Sequence, residues 1–144
     1  APGIVLNNPH ANGPDIAVNS TLTIDRGETM IRFSDPDTVG GKLYFNDPTK
    51  LIVQQNAEIE VRERLEIIGE SMLKLKAGST LRLDKGEVKV IDGSIYFEHG
   101  SFIRGKGKIR VSKGSLVECE GSEMYKSLKK VVRPRKRLHL ADGR

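Results

Sequence analysis

Between Met72 and Gly121 apolar and polar residues alternate in short runs: Leu73-Lys74-Leu75, Leu81-Arg82-Leu83, Val88-Lys89-Val90, Ile95-Tyr96-Phe97 and Ile109-Arg110-Val111. Residues two apart share one face of a strand. The alternation therefore predicts strands with a buried face and a solvated face, the latter carrying Lys74, Arg82, Lys89 and Arg110. Glycines punctuate these runs at Gly78, Gly86, Gly93, Gly100, Gly107, Gly114 and Gly121; the first interval is eight residues and the other five are seven. Glycine offers a turn a conformation that a side chain penalises, so the pattern predicts one strand and one tight turn per beat.

When each unit is counted so that its glycine is position 7, position 2 is apolar in all seven units: Leu73, Leu81, Val88, Ile95, Phe102, Ile109 and Leu116. Position 4 is apolar in five: Leu75, Leu83, Val90, Phe97 and Val111. The two exceptions, Arg104 and Glu118, lie fourteen residues apart, and their units carry an apolar residue at position 3 instead, Ile103 and Val117. If two strands complete one circuit of the chain, fourteen residues return to the same sheet. Arg104 and Glu118 then stack on neighbouring strands ~4.8 Å apart as an ion pair. If three strands complete it, the circuit is twenty-one residues and the pairing fails. The pattern leaves both open.

Upstream the rhythm is looser. Residues 1–18 hold Pro2-Gly3, Asn7-Asn8-Pro9 and Asn12-Gly13-Pro14 and read as an extended, turn-rich arm. Strands are expected around Leu22–Ile24, Thr29–Phe33, Leu43–Phe45 and Leu51–Val53, and the alternation continues through Ile59, Val61, Leu65 and Ile67. Asn56 ends a beat where glycine stands downstream, and Asn is the next residue best able to take a positive φ. After Gly121 the period changes. Ser122 is placed to cap a short helix whose face is Met124, Tyr125, Leu128, Val131 and Val132, with Pro134 stopping it. A terminal amphipathic helix suits the open end of a repetitive stack. The expected organisation is an N-terminal arm at 1–18, a repetitive β domain at 19–121 and a basic C-terminal cap and tail at 122–144.

Composition changes this picture in two ways. There is no Trp among the 144 residues and few other aromatics, so Leu, Ile and Val must fill the core, which suits thin stacked layers. The formal net charge of +5 is also unevenly placed: residues 122–144 carry eight Lys/Arg against two acids, leaving the rest near neutral. The expected contact residues for assembly or for an anion are Lys126, Lys129, Lys130, Arg133, Arg135, Lys136 and Arg137. No apolar run approaches the ~20 residues of a membrane-spanning helix.

Candidate chemistry is sparse, and no cofactor or metal is expected. Gly100 to Gly107 is one residue short of a phosphate-binding loop, and Gly107 stands where Ser or Thr would hold magnesium; two β-turns are the better reading. His10, His99 and His139 are dispersed. Asp35, Asp37, Asn46 and Asp47 suit turns beside Pro36 and Pro48 better than a calcium site. Cys119, the one cysteine, reads as a small buried hydrophobe. A polysaccharide-cleaving site would draw on Asp92, Glu98, Arg104 and Lys106, but no spacing rule brings them together, and the chain is expected not to be an enzyme.

The glycine-punctuated units, as in Ser94-Ile-Tyr-Phe-Glu-His-Gly100 and Lys108-Ile-Arg-Val-Ser-Lys-Gly114, resemble the β-solenoid repeats of bacterial surface adhesins, autotransporter passengers and phage spike or fibre proteins. The resemblance covers about residues 50–121. It implies an all-β, glycine-punctuated β-solenoid (a parallel β-helix or β-roll) with a short C-terminal helix and basic tail; the alternative is an antiparallel β-sandwich or jelly roll. It also implies a non-catalytic structural or adhesive role; together with the repeat and the charge split, the leading expectation is a structural subunit at an extracellular surface or in a virion, self-assembling with other copies of itself through its terminal arms. The alternatives are a module that binds glycans or anionic polymers, with nucleic acid or an anionic surface meeting the C-terminal tail, and a polysaccharide-active enzyme.

Overall fold

The computed structural model describes residues 4–6, 16–24, 30–32, 38–40, 50–67 and 70–141. Its elements begin with the strands β1 (Ile4–Leu6), β2 (Ile16–Val18), β3 (Thr21–Ile24), β4 (Met30–Arg32), β5 (Thr38–Gly40), β6 (Lys50–Val53), β7 (Glu58–Val61) and β8 (Arg64–Ile67). They continue with β9 (Ser71–Leu75), β10 (Thr80–Val90), β11 (Gly93–Phe97), β12 (Phe102–Val111), β13 (Leu116–Cys119), helix α1 (Ser122–Leu128), β14 (Val132–Arg133) and β15 (Leu138–Leu140). One sheet has the order β1-β8-β10-β12-β14, with β7 beside the first half of β10 and β3 beside β7. The other runs β15-β13-β11-β9-β6-β2. All pairings in both are parallel; β4 and β5 form a separate antiparallel pair.

This corrects the expected fold class. Among the described residues the chain is mostly β, in two parallel sheets with one α-helix, and it does not follow the glycine-punctuated solenoid plan of one strand and one turn per beat. Strands β10 and β12 are eleven and ten residues long and continue without a break through the beats at Gly86 and Gly107. The antiparallel sandwich fails as well, because every pairing within the two large sheets is parallel. Among the described residues the return distance is 21 to 23 residues at eight of the eleven parallel pairings, and 22 for Leu51 with Leu73, Leu73 with Ile95 and Ile95 with Val117. Fourteen is excluded.

The registers stack like side chains into inward columns. Leu51, Leu73, Ile95, Val117 and Leu138 form one, and Leu65, Val88, Ile109 and Val132 another. All are buried, with Val53, Leu75, Phe97 and Cys119 beside the first. Full burial of each such side chain contributes about 1.5–3 kcal/mol, so this core of modest aliphatics needs no large rings. Cys119 is one of its members, as its sequence context suggested.

Two beats point the other way. Phe102 is 42% exposed and Leu116 is half-buried, whereas Ile103 and Val117 turn inward. Ile103 pairs with Leu81, and Val117 with Ile95. The apolar residues at position 3 of those two units were the sign of a one-residue phase slip, which exchanges the faces of a strand.

The glycines serve two different purposes. Asn56, Gly78 and Gly100 are joined in a ladder by Asn56 N–H to Gly78 O (3.1 Å) and Gly78 N–H to Gly100 O (2.8 Å), and all three hold positive φ, of 68°, 84° and 89°. Asn56 therefore takes the left-handed conformation expected of it. Gly86 and Gly107 are different. A Cβ on Gly86 would sit 2.2 Å from the Val61 carbonyl oxygen, and one on Gly107 would sit 2.4 Å from the Gly86 oxygen. These glycines allow backbones to approach where β10 and β12 bend, at the register shift between Asp84 and Glu87.

The C-terminal segment closes the end of this core. Helix α1 packs against β12 and β15 and buries Leu128, while β14 and β15 each extend one sheet. The helix is shorter than its apolar face suggested. Gly121, not Ser122, is its N-cap residue, without a side-chain bond, and Val132 lies past it in β14, paired with Ile109. No helix among the described residues is long and apolar enough to cross a membrane.

Candidate functional site

Outward positions of the first sheet form cross-strand charge ladders, because each parallel partner presents its side chain to the same face. On β7, β8 and β10 the two signs are mixed and paired. Arg82 Nε donates to Glu58 (3.1 Å), Arg62 lies 3.7 Å from Asp84, and Glu87 takes Arg110 at 2.9 Å and Lys89 at 3.8 Å. Exposed pairs of this kind contribute ~0–1 kcal/mol each. Their larger consequence is that they engage the carboxylates of β10.

Strand β12 has no such balance. Its outward positions are Phe102, Arg104, Lys106, Lys108 and Arg110, four cations and no acid. In register, Arg104 faces Arg82, Lys106 faces Asp84, Lys108 faces Glu87 and Arg110 faces Lys89 and Arg133. Asp84 and Glu87 are already held by other cations. Among the described residues no carboxylate lies within 4 Å of an Arg104, Lys106 or Lys108 side-chain nitrogen. Arg104 instead lies over the Phe102 ring, 4.8 Å from its centroid.

The C-terminal segment adds to the same region. A groove of about 520 Å³ between β12 and α1 is walled by Lys106 and Lys108 on one side and by Ser127 and Lys130 on the other, with Ile103 and Val131 on its floor. Among the described residues no acidic side chain lines it. Lys106 stands on the ridge between this groove and a second that contains Glu60 and Asp84. Toward the C-terminal end of the strand, Lys89, Arg110 and Arg133 border a shallow apolar surface containing Ile91 and Pro134.

The seven expected contact residues divide into two groups. Lys126, Lys129, Lys130 and Lys136 are exposed. Arg133 and Arg135 serve the cap. Arg133 Nη1 donates to the carbonyls of Lys129 (3.0 Å) and Val132 (2.8 Å), and Arg135 Nε donates to the Lys129 carbonyl (3.0 Å). Cations at these carbonyls satisfy the free acceptors that end a helix. Arg137 is half-buried in the short 3-10 turn that precedes β15, and Lys129 lies over the Tyr125 ring at 5.2 Å.

The stacked pair of Arg104 and Glu118 is not formed. Arg104 belongs to the first sheet, in register with Arg82, and Glu118 to the second, in register with Tyr96 and His139. A 22-residue return, not fourteen, decides this. The residues considered for polysaccharide cleavage are likewise not gathered. Glu98 lies beside Lys74 (3.6 Å) and Lys76 (3.5 Å) and accepts from the Ala77 N–H (3.1 Å), at the end of β11, while Arg104 and Lys106 are on β12. His99 donates its backbone N–H to Glu120 (2.9 Å), and Tyr96 donates its phenol to the same carboxylate (2.5 Å), which pushes the Tyr96 pKa up to about 12. His10, Asp35, Asp37, Asn46 and Asp47 lie outside the described residues. Among the described residues no three His, Cys, Asp or Glu side chains converge as metal ligands would.

Sequence reasoning placed the positive charge in the tail and missed the contribution of β12. The signal was present: Arg104, Lys106, Lys108 and Arg110 occupy alternate positions without an acid among them, and only the phase slip at Ile103 shows that all four face outward. Comparison with protein-family models, curated proteins and solved structures returns no match for this chain.

Proposed function

We propose that this chain is a non-catalytic structural module whose C-terminal end binds an anionic polymer. The observation that carries the reading is the set Arg104, Lys106 and Lys108 on β12, without carboxylate partners among the described residues, with Lys130 across the groove. Unneutralised cations held on a rigid sheet attract a polyanion by releasing its counterions, at little cost in ordering the protein. The closed aliphatic core and the cap supply the rigidity. The test is binding of the full chain to an anionic polymer across a salt series, compared with a variant in which Lys106, Lys108, Lys129 and Lys130 are changed to Gln. Affinity should fall steeply with salt for the parent and the slope should flatten by about 1 per lysine removed. Binding that is insensitive to salt, or unchanged in the variant, overturns it.

A second reading is self-assembly with other copies of the chain, in a surface filament, virion or tail. It is favoured by the charge gradient along the stacked strands, from β7, β8 and their link, where four glutamates outnumber Arg62 and Arg64, to the cations of β12 and the cap. Its C-terminal part is weakened by the cap itself, since β14 and β15 pair with β12 and β13 of their own chain. Light scattering across a salt series separates the readings: assembly raises the mass at low salt without any added polymer.

A further inference from the structure

We infer that the groove between β12 and α1 is a subsite for a sulfate or phosphate ester carried on a linear polysaccharide. The inference rests on the reading that this end of the molecule takes an anionic polymer, and names the chemistry it selects.

The cations converging on the groove are lysines. Lys106 and Lys108 come from one wall and Lys130 from the other, with the Ser127 hydroxyl between. A guanidinium presents a planar fork that matches two oxygens of a carboxylate or of a phosphate. An ammonium is a point charge with freely rotating donors. Three lysines and a serine lining one groove can together offer donors to a group with three terminal oxygens directed apart, as a sulfate or phosphate ester has. The guanidinium groups nearby are engaged elsewhere: Arg133 and Arg135 on carbonyls, Arg110 on Glu87, and Arg104 over Phe102.

The polymer backbone follows from what surrounds the charges. Binding of single-stranded nucleic acid draws on exposed aromatic faces for its bases. Here Phe102 and Tyr125 each have a cation over the ring, from Arg104 and Lys129. The floor offers only the half-buried aliphatic side chains of Ile103 and Val131, which suit the C–H faces of sugar rings.

The experiment uses the full chain and three probes of matched length: a sulfated heparin oligosaccharide, an oligouronate carrying carboxylates alone, and a single-stranded DNA oligonucleotide. Titrations run from about 50 to about 200 mM salt, on the parent, on Lys108→Gln/Lys130→Gln, and on Lys113→Gln, an exposed lysine outside the groove. The expected result is about tenfold tighter binding of the sulfated probe than of the uronate. The double variant should lose about tenfold for the sulfated probe and flatten its salt slope by about 2, with Lys113→Gln within about twofold of the parent. Equal affinity for sulfated and uronate probes, tightest binding of DNA, or equal losses in Lys113→Gln and the groove variant would each overturn the subsite while leaving polymer binding intact. If no probe binds at the lowest salt, both the subsite and the polymer-binding reading fall.

Discussion

Replacing Gly107 with Ala tests why glycine recurs in this chain. Gly107 is not one of the glycines held at positive φ, so its backbone conformation suits any residue. The obstacle is space. The new Cβ would stand 2.4 Å from the Gly86 carbonyl oxygen and 2.7 Å from Leu83 Cβ, both belonging to β10 and neither the free end of a flexible side chain. Ordinary contacts are near 3.5 Å, so β12 must retreat from β10 by close to an ångström at the bend. Overpacking of this kind costs about 1–3 kcal/mol, out of a total stability of ~5–15 kcal/mol. For a domain of this size the expected fall in Tm is about 4–12 °C. Gly114 is the control. Nothing lies within 4 Å of a Cβ built there, but its φ is +89°, so the penalty is backbone strain alone. Asn tolerates that region better than Ala, whereas at Gly107 any larger side chain adds to the clash. The order of stability should therefore invert: Asn above Ala at 114, Ala above Asn at 107. Thermal and urea melts followed by circular dichroism read this directly. A Gly107→Ala protein melting within a degree of the parent, or the same order of Asn and Ala at both positions, refutes the account.

Ending the chain at Gly121 removes the partners that cover the last strands, Leu128, Val132 and Leu138, all buried. The shortened protein should bind a hydrophobic dye and associate at every salt concentration, and a folded, dye-silent monomer would show that the cap is dispensable. Leu128→Ala should cost about 2–5 kcal/mol by urea denaturation, with no effect expected only if α1 is undocked in solution. Tyr96→Phe removes the phenol that donates to Glu120. That bond, then burial, then the charges of Glu120, Glu118 and Glu98 raise the phenol pKa from 10.0 to about 12, so the protonated form is favoured by folding. The stabilisation is fully present below pH 10 and is lost as pH rises through about 12. The stability gap between parent and Tyr96→Phe should be constant up to that lower value and close toward the upper one; a gap that widens in this window contradicts the assignment.

Much of the strand content was legible because its causes are local. Period-two alternation in Leu73-Lys74-Leu75 or Ile95-Tyr96-Phe97 marks a half-buried strand wherever that strand is placed, and the demand for positive φ at Asn56 belongs to one residue's own sterics. The amphipathic segment after Gly121 was readable as a cap for the same reason. The candidate surface was half legible: the lysines of the tail stood out as a run, whereas the row on β12 looked like the solvated face of any strand. Its significance depends on Asp84 and Glu87 being occupied by Arg62 from the β7–β8 link, by Lys89 two residues along β10 and by Arg110 from β12.

The sequence by itself determined that the chain forms short strands with one apolar face, turns at Asn56, Gly78 and Gly100, and a covered C-terminal end, since each follows from interactions within a few residues. Only the tertiary structure decided the 22-residue return, the inward turn of Ile103 and Val117, and the two roles of glycine. Each depends on which backbone lies alongside: Gly86 and Gly107 look like turn glycines until Val61 and Gly86 are placed against them. The same holds for the charge on β12, because whether a lysine is neutralised is a property of its neighbours in space.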